Sequence, residues 1–102
     1  MRQLSNKDLK QYRQELLQTQ DNLCLLCSKT IPQDKAVLDH NHKSGQVRGV
    51  LHRHCNWILG KVERASARSG IPNFLDLAQM YLKRTNLLVL YPVKRKRKKK
   101  KI

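Results

Sequence analysis

The sequence predicts a small α+β domain: a two-stranded hairpin followed by a helix, stapled at the base of the hairpin, with flanking helices and a disordered basic tail. Three observations predict it. Cys24-Leu25-Leu26-Cys27 is answered by His52-Arg53-His54-Cys55, two i, i+3 pairs of soft ligands with 24 residues between them. Between the pairs lie two β-prone runs, Ala36-Val37-Leu38 and Val47-Arg48-Gly49-Val50-Leu51, separated by turn-forming residues. Apolar residues recur at helical spacing on either side of this block.

At 102 residues the chain is near the size at which a hydrophobic core is marginal by itself and a staple is common. The two pairs together read as a structural zinc site with Cys24, Cys27, His52 and Cys55 as ligands, because closing one loop with four soft donors is what a tetrahedral ion requires. Cys24 and Cys27 alone could equally be two small buried side chains. His52 preserves the i, i+3 spacing; His54 is the competing imidazole. Three cysteines cannot all pair in intramolecular disulfides, and no apolar leader precedes Leu4, so thiolates in a reducing cytoplasmic compartment are expected. No run approaches the roughly 20 apolar residues of a bilayer-spanning helix.

Taken in order, Leu4-Ser5-Asn6-Lys7-Asp8-Leu9 reads as a helix start, with Ser5 as N-cap, Asp8 as its capping-box partner and Leu4 against Leu9 as a staple. Leu9, Tyr12, Leu16 and Leu17 form a stripe expected to pack over the zinc module, and the polar segment Gln18 to Asn22 ends the helix. Asn41 to Gln46, with Ser44-Gly45, supplies the hairpin turn. A helix starting near His54 follows, with Trp57 and Leu59 expected in the core and Gly60 weakening it. Ser66 to Pro72 reads as a linker. Asn73 caps a second helix, Phe74 to Lys83, whose apolar stripe is expected to cover the body. Leu87 to Tyr91 is β-prone and expected to dock as a last extended segment ended by Pro92. The predicted organisation is a zinc-stapled domain over residues 1–91 and a disordered basic tail over 92–102.

The net charge of +15 contains the unbroken basic run Lys94 to Lys101; without it about +7 remains. The body is itself basic, and a polyanion is the natural partner, because Lys and Arg that neutralise phosphates release condensed counterions. For the tail alone, a solubilising, membrane-surface or localisation role is an equal alternative. Lys43, Arg48, Lys61 and Arg64 are the candidate backbone contacts to DNA, although each could be an ordinary surface charge.

The hairpin also carries groups of a second kind. Hydrolysis of a phosphodiester needs a nucleophile, neutralisation of charge on the phosphate and help for the leaving oxygen. Asp39 and Asn56 offer the hard oxygen donors that suit Mg²⁺ or Mn²⁺. His40 offers an imidazole able to take a proton from water. Neighbours on a regular strand point to opposite sides, so Asp39 and His40 serve one site only if the strand is distorted there. The alternative is a solvated turn in a zinc finger, with His42 as a spare ligand or surface residue.

Cys24-Leu-Leu-Cys27, Leu38-Asp39-His40-Asn41-His42, Gly45-Gln-Val47-Arg48-Gly49-Val-Leu51 and Cys55-Asn56-Trp-Ile-Leu59-Gly60 together resemble the recombination endonuclease VII family, a branch of the HNH or His-Me finger nucleases, over about residues 9 to 83. The resemblance implies a zinc-bound ββα-metal fold and a phage-encoded, Mg²⁺-dependent DNA endonuclease acting in the host cytoplasm. It implies Asp39 and Asn56 as ligands of the catalytic metal, His40 as general base and His42 as an auxiliary catalytic or phosphate-contacting residue. Four-cysteine zinc sites are usual there, whereas this chain has His52. Members that resolve branched DNA as homodimers carry more C-terminal material than this chain. Three functions follow: an endonuclease on double-stranded DNA with little sequence preference, a dimeric Holliday-junction resolvase, or a zinc-finger nucleic-acid-binding protein without catalysis.

Overall fold

The computed structural model describes residues 3–84 and 87–92. The expected tail at Lys94 to Lys101 lies outside the described residues. The chain divides into two compact units, Met1–Gly70 and Ile71–Ile102.

In the first unit, α1 spans Asn6–Thr19. Its start departs from the expected capping box: the Ser5 hydroxyl donates to the Asp8 carboxylate at 2.7 Å rather than accepting from a backbone amide. The shorter Asp side chain cannot reach back to the cap as Glu or Gln does, so it receives the hydroxyl instead. The stripe is graded, with Leu9 exposed, Tyr12 and Leu16 half-buried and Leu17 buried. Asp21 and Asn22 then take positive φ, which reverses the chain into the cysteine turn.

A turn at Cys24–Ser28 is closed by the Ser28 amide donating to the Cys24 carbonyl at 2.8 Å, with Ser28 at φ +66°. After a single 3₁₀ turn at Gln33–Lys35, β1 spans Ala36–His40 and β2 spans Val47–His52, paired antiparallel from Ala36 opposite His52 to His40 opposite Val47. β1 extends beyond the expected Leu38 to His40, and β2 beyond Leu51 to the ligand candidate His52. The connecting turn is built by Asn41, whose Oδ1 accepts from the amides of Lys43 and Ser44 at 2.8 and 3.1 Å. Gly45 completes it at φ +77°, a conformation that favours glycine. α2, Arg53–Arg68, follows β2 without a loop, so the order is ββα.

The buried core consists of Leu17, Cys24, Ile31, Ala36, Val50 and Leu51, with Leu16, Leu38, Cys55 and Leu59 packed against it. Two of these ten side chains, Cys24 and Cys55, are zinc-ligand candidates, so the candidate cluster is built into the core. Trp57 was expected inside and is not: it is 54 % exposed. Leu59 and Cys55 take the inward face of α2, and Trp57 lies off that face.

In the second unit, α3 spans Phe74–Leu82, with Asn73 before it in a left-handed conformation and making no side-chain cap. Phe74, Leu77, Tyr81 and Leu82 of its apolar stripe are exposed. Leu87 to Tyr91 forms no strand and is exposed, because β propensity alone provides no partner for the backbone. Among the described residues, no helix is long and apolar enough to cross a membrane.

Candidate active site

The ligand atoms of Cys24, Cys27, His52 and Cys55 all lie within 4.8 Å of one another. His52 Nδ1 is 3.4 Å from Cys27 Sγ and 3.8 Å from Cys55 Sγ. A tetrahedral ion with roughly 2.3 Å bonds to sulfur and 2.0 Å to nitrogen places its ligand atoms about 3.5–3.8 Å apart, so these residues can hold zinc. His52 Nε2–H donates to the Thr30 carbonyl at 3.0 Å, which leaves Nδ1 as the metal-facing nitrogen. His54 is not in the cluster; its ring stacks near Trp57. Burial opposes ionisation of Cys24. The amides of Cys27, His52 and Leu26 and the His52 side chain outweigh it and bring that thiol down to about 6. Burial and the neighbouring Cys27 and Cys24 push Cys55 up to about 11. A bound cation would favour the thiolate form of all three cysteines.

The second cluster starts at the far end of the hairpin. The β1–β2 register breaks between Asp39 and His40: Asp39 faces Gly49, His40 faces Val47, and Arg48 is the extra residue of a bulge. The inserted residue lies in β2, opposite the pair, and on β1 Asp39 is buried while His40 is exposed. Asp39 is buried, with 5 % of its surface exposed, and its two oxygens accept from Arg48, Oδ2 from Nε at 2.7 Å and Oδ1 from Nη2 at 3.0 Å. Arg48 also donates from Nη1 and Nη2 to the Glu63 carboxylate, both at 2.9 Å.

Glu63 was not singled out by sequence reasoning. Its only signal is its place seven residues after Asn56, about two helical turns, which puts both on one face of α2. The hydrogen bonds from Arg48 hold its carboxyl below the usual range; burial opposes this, and the charges of Arg48 and His42 add to it. His42 in turn sits with its ring 4.8 Å from that of His40. Arg48 thus joins Asp39 to Glu63 across the bulge, and His40 and His42 form a separate ring pair at the hairpin turn.

Two depressions flank the bulge. Asp39 and Arg48 border one of about 210 Å³ with Leu25, Leu26, Gly49, Leu51 and Leu59. His40 borders a larger one of about 580 Å³, lined also by Tyr12 and Leu9 of α1 and by Leu38 and Val47. Asn56 is half-buried on the first turn of α2, next to Cys55. Lys43 is exposed in the hairpin turn, and Arg64 is exposed on α2. Lys61 places its ammonium 4.0 Å above the Trp57 ring.

The family model of recombination endonuclease VII matches residues 2–84. The chain belongs to the recombination endonuclease VII family. Membership in this endonuclease family implies a hydrolase that acts on DNA. The matched span contains the soft-ligand cluster, the bulged hairpin and α2.

Proposed function

We propose that this endonuclease VII family protein is an HNH-type, divalent-metal-dependent DNA endonuclease on a His-Me finger core, with zinc as a structural staple and His40 as general base. The observation that supports it most is the bulge between Asp39 and His40. Arg48, inserted in β2 opposite this pair, distorts the hairpin at the two residues the chemistry needs.

Asp39 is a buried carboxylate that already holds a cationic group, and the Asn56 amide adds a neutral oxygen, so the donor set fits a hard divalent ion. Mg²⁺ or Mn²⁺ bound there would act as a Lewis acid on the phosphate and the leaving 3′-oxygen. His40 takes a proton from the attacking water, whose oxygen bonds to phosphorus as the bond from phosphorus to the 3′-oxygen breaks; the leaving oxygen gains a proton from solvent. His42, in ring contact with His40, orients it and meets the phosphate. Asp39 would hold that ion in place of its two bonds from Arg48, whose two bonds to Glu63 would keep the guanidinium in the site. Lys43, Lys61 and Arg64 contact the DNA backbone, which positions the duplex without reading its sequence.

The test is nicking of supercoiled plasmid with Mg²⁺ or Mn²⁺. His40→Ala should lose about 10²–10⁴-fold in rate while retaining its zinc and its helical content. A His40→Ala protein that cleaves at the wild-type rate would overturn the assignment. A homodimer acting on branched DNA fits the family match equally well and uses the same residues. Cleavage of a four-way junction and a linear duplex at matched salt separates the two substrates.

A further inference from the structure

One face of α2 is used by neither cluster. His54, Trp57 and Lys61 recur at helical spacing and, at about 100° per residue, lie some 100–160° around the helix from Asn56. Trp57 is 54 % exposed, an unusual placement for the largest apolar side chain in a domain with so small a core. It is held in place rather than left loose: the His54 ring lies nearly parallel to it, at 20° and 6.1 Å between centroids, and the Lys61 ammonium sits 4.0 Å over its face. Beside it is a depression of about 460 Å³ lined by Lys35, His52, Arg53, His54 and Trp57. No carboxylate is among those residues, and the volume falls within the roughly 300–1,000 Å³ of small-ligand sites. Arg53 is steadied by donating from Nη2 to the Asp34 carbonyl at 3.1 Å, which consumes no charge.

An ordered aromatic face bordered by cations has the chemistry of a stacking platform for an unpaired base, with its phosphates on the flanking ammonium and guanidinium groups. We propose that the Trp57 face of α2 binds a single-stranded stretch of DNA, one base stacking on Trp57 and the adjoining phosphates meeting Lys35, Arg53 and Lys61. Lys61 then exchanges its contact with the ring for one with a phosphate. A double helix cannot occupy the platform in this way, because its bases are already stacked on each other. The inference rests on the reading that DNA is the substrate, but it assigns a site separate from Asp39, His40 and Asn56.

Trp57 is the chain's single tryptophan, so its emission reports on the platform directly. Full-length, zinc-loaded protein is titrated with an oligothymidylate of about 12 nucleotides without Mg²⁺ or Mn²⁺, and separately with a blunt duplex at the same salt. Saturable quenching is expected with the single strand. Because the variants lack the reporting ring, their binding is read by the anisotropy of fluorescein-labelled strands. Trp57→Ala should weaken single-strand binding about 5- to 150-fold, and Trp57→Phe should restore most of it, while both leave duplex affinity within about twofold. Absent quenching, an equal loss on single strand and duplex, or a wild-type dimer that Trp57→Ala converts to monomer would each overturn the proposal, the last by making this face an interface between two copies. Since no cleavage occurs in this assay, its result is independent of the His40→Ala nicking test.

Discussion

Arg48 closes a two-point fork on Asp39 and a second on Glu63, so one guanidinium holds two carboxylates at the hairpin bulge. Asp39 is nearly inaccessible and Arg48 is 35 % exposed at its side chain, which makes the pair only partly screened. Arg48→Gln should lower stability by about 1–3 kcal/mol, less than the ~3–5 of a fully buried pair. It should also free Asp39 for a cation. The variant is therefore expected to gain thermal stability on addition of Mn²⁺ where the wild type gains little, read by melting with and without the ion. Equal Mn²⁺ responses would show that Arg48 does not compete for Asp39.

Glu63 makes the cluster pH-dependent. Its folded-state pKa is depressed, first by the hydrogen bonds from Arg48, so its contribution is present above the value of about 4.5 for a free glutamate and is lost as pH falls through the lower folded value. Glu63→Gln should lower stability at pH 7 by at most about 1 kcal/mol, since the side chain is partly exposed. The difference between the two proteins should shrink below about pH 4.5, read by denaturant titration across pH.

Zinc held by the Cys24, Cys27, His52 and Cys55 cluster would make two histidines separated by one residue unequal. His52→Ala removes a ligand and should reduce zinc content and melt the first unit, whereas His54→Ala should retain the metal and the fold. Structural zinc contributes on the order of 10–16 kcal/mol in finger peptides, so a chelator should unfold the wild type at room temperature. Metal analysis with circular dichroism checks both. His52→Cys should keep the ion, because a fourth thiolate suits the same geometry.

What could be read from the sequence was the part that depends on spacing. The ligand pairs carry their geometry in an i, i+3 interval, and Asn41 to Gly45 carries its turn in residue types, so both were legible. Adjacent Asp39 and His40 called for a local bend if they share a site, but the bulge that inserts Arg48 on the opposite strand had no signal in the sequence. The Arg48 bridge was not legible either, because it joins residues 9 and 15 positions away through side chains with no periodic signature. Trp57 was misread for a related reason: hydropathy marks it as core, whereas the inward face of α2 is set by Cys55 and Leu59. Leu87 to Tyr91 shows the same failure in a strand-like segment, where propensity exists and no strand pairs with it among the described residues.

Gln20 supplies a last case in which a side chain does backbone work. Its Nε2 donates to the Val50 and Leu23 carbonyls at 2.9 and 2.8 Å, and its Oε1 accepts from the Val50 amide at 2.9 Å. The amide thus behaves like one residue of a third strand along the free edge of β2, at a position where Val50 is 0 % exposed. Gln20→Ala should cost about 1–3 kcal/mol, because it leaves the buried Val50 N–H without an acceptor. Each kcal/mol lowers the melting temperature by roughly 4–8 °C in a domain of this size. Gln20→Glu separates the two halves of the contact. A carboxylate can still accept from the Val50 amide but opposes both carbonyls, so the variant should be destabilised at pH 7 and recover as acid protonates it to a donor. If Gln20→Glu melted at the wild-type temperature at pH 7, the two donated bonds would be contributing nothing and the Val50 amide would be the only contact that matters.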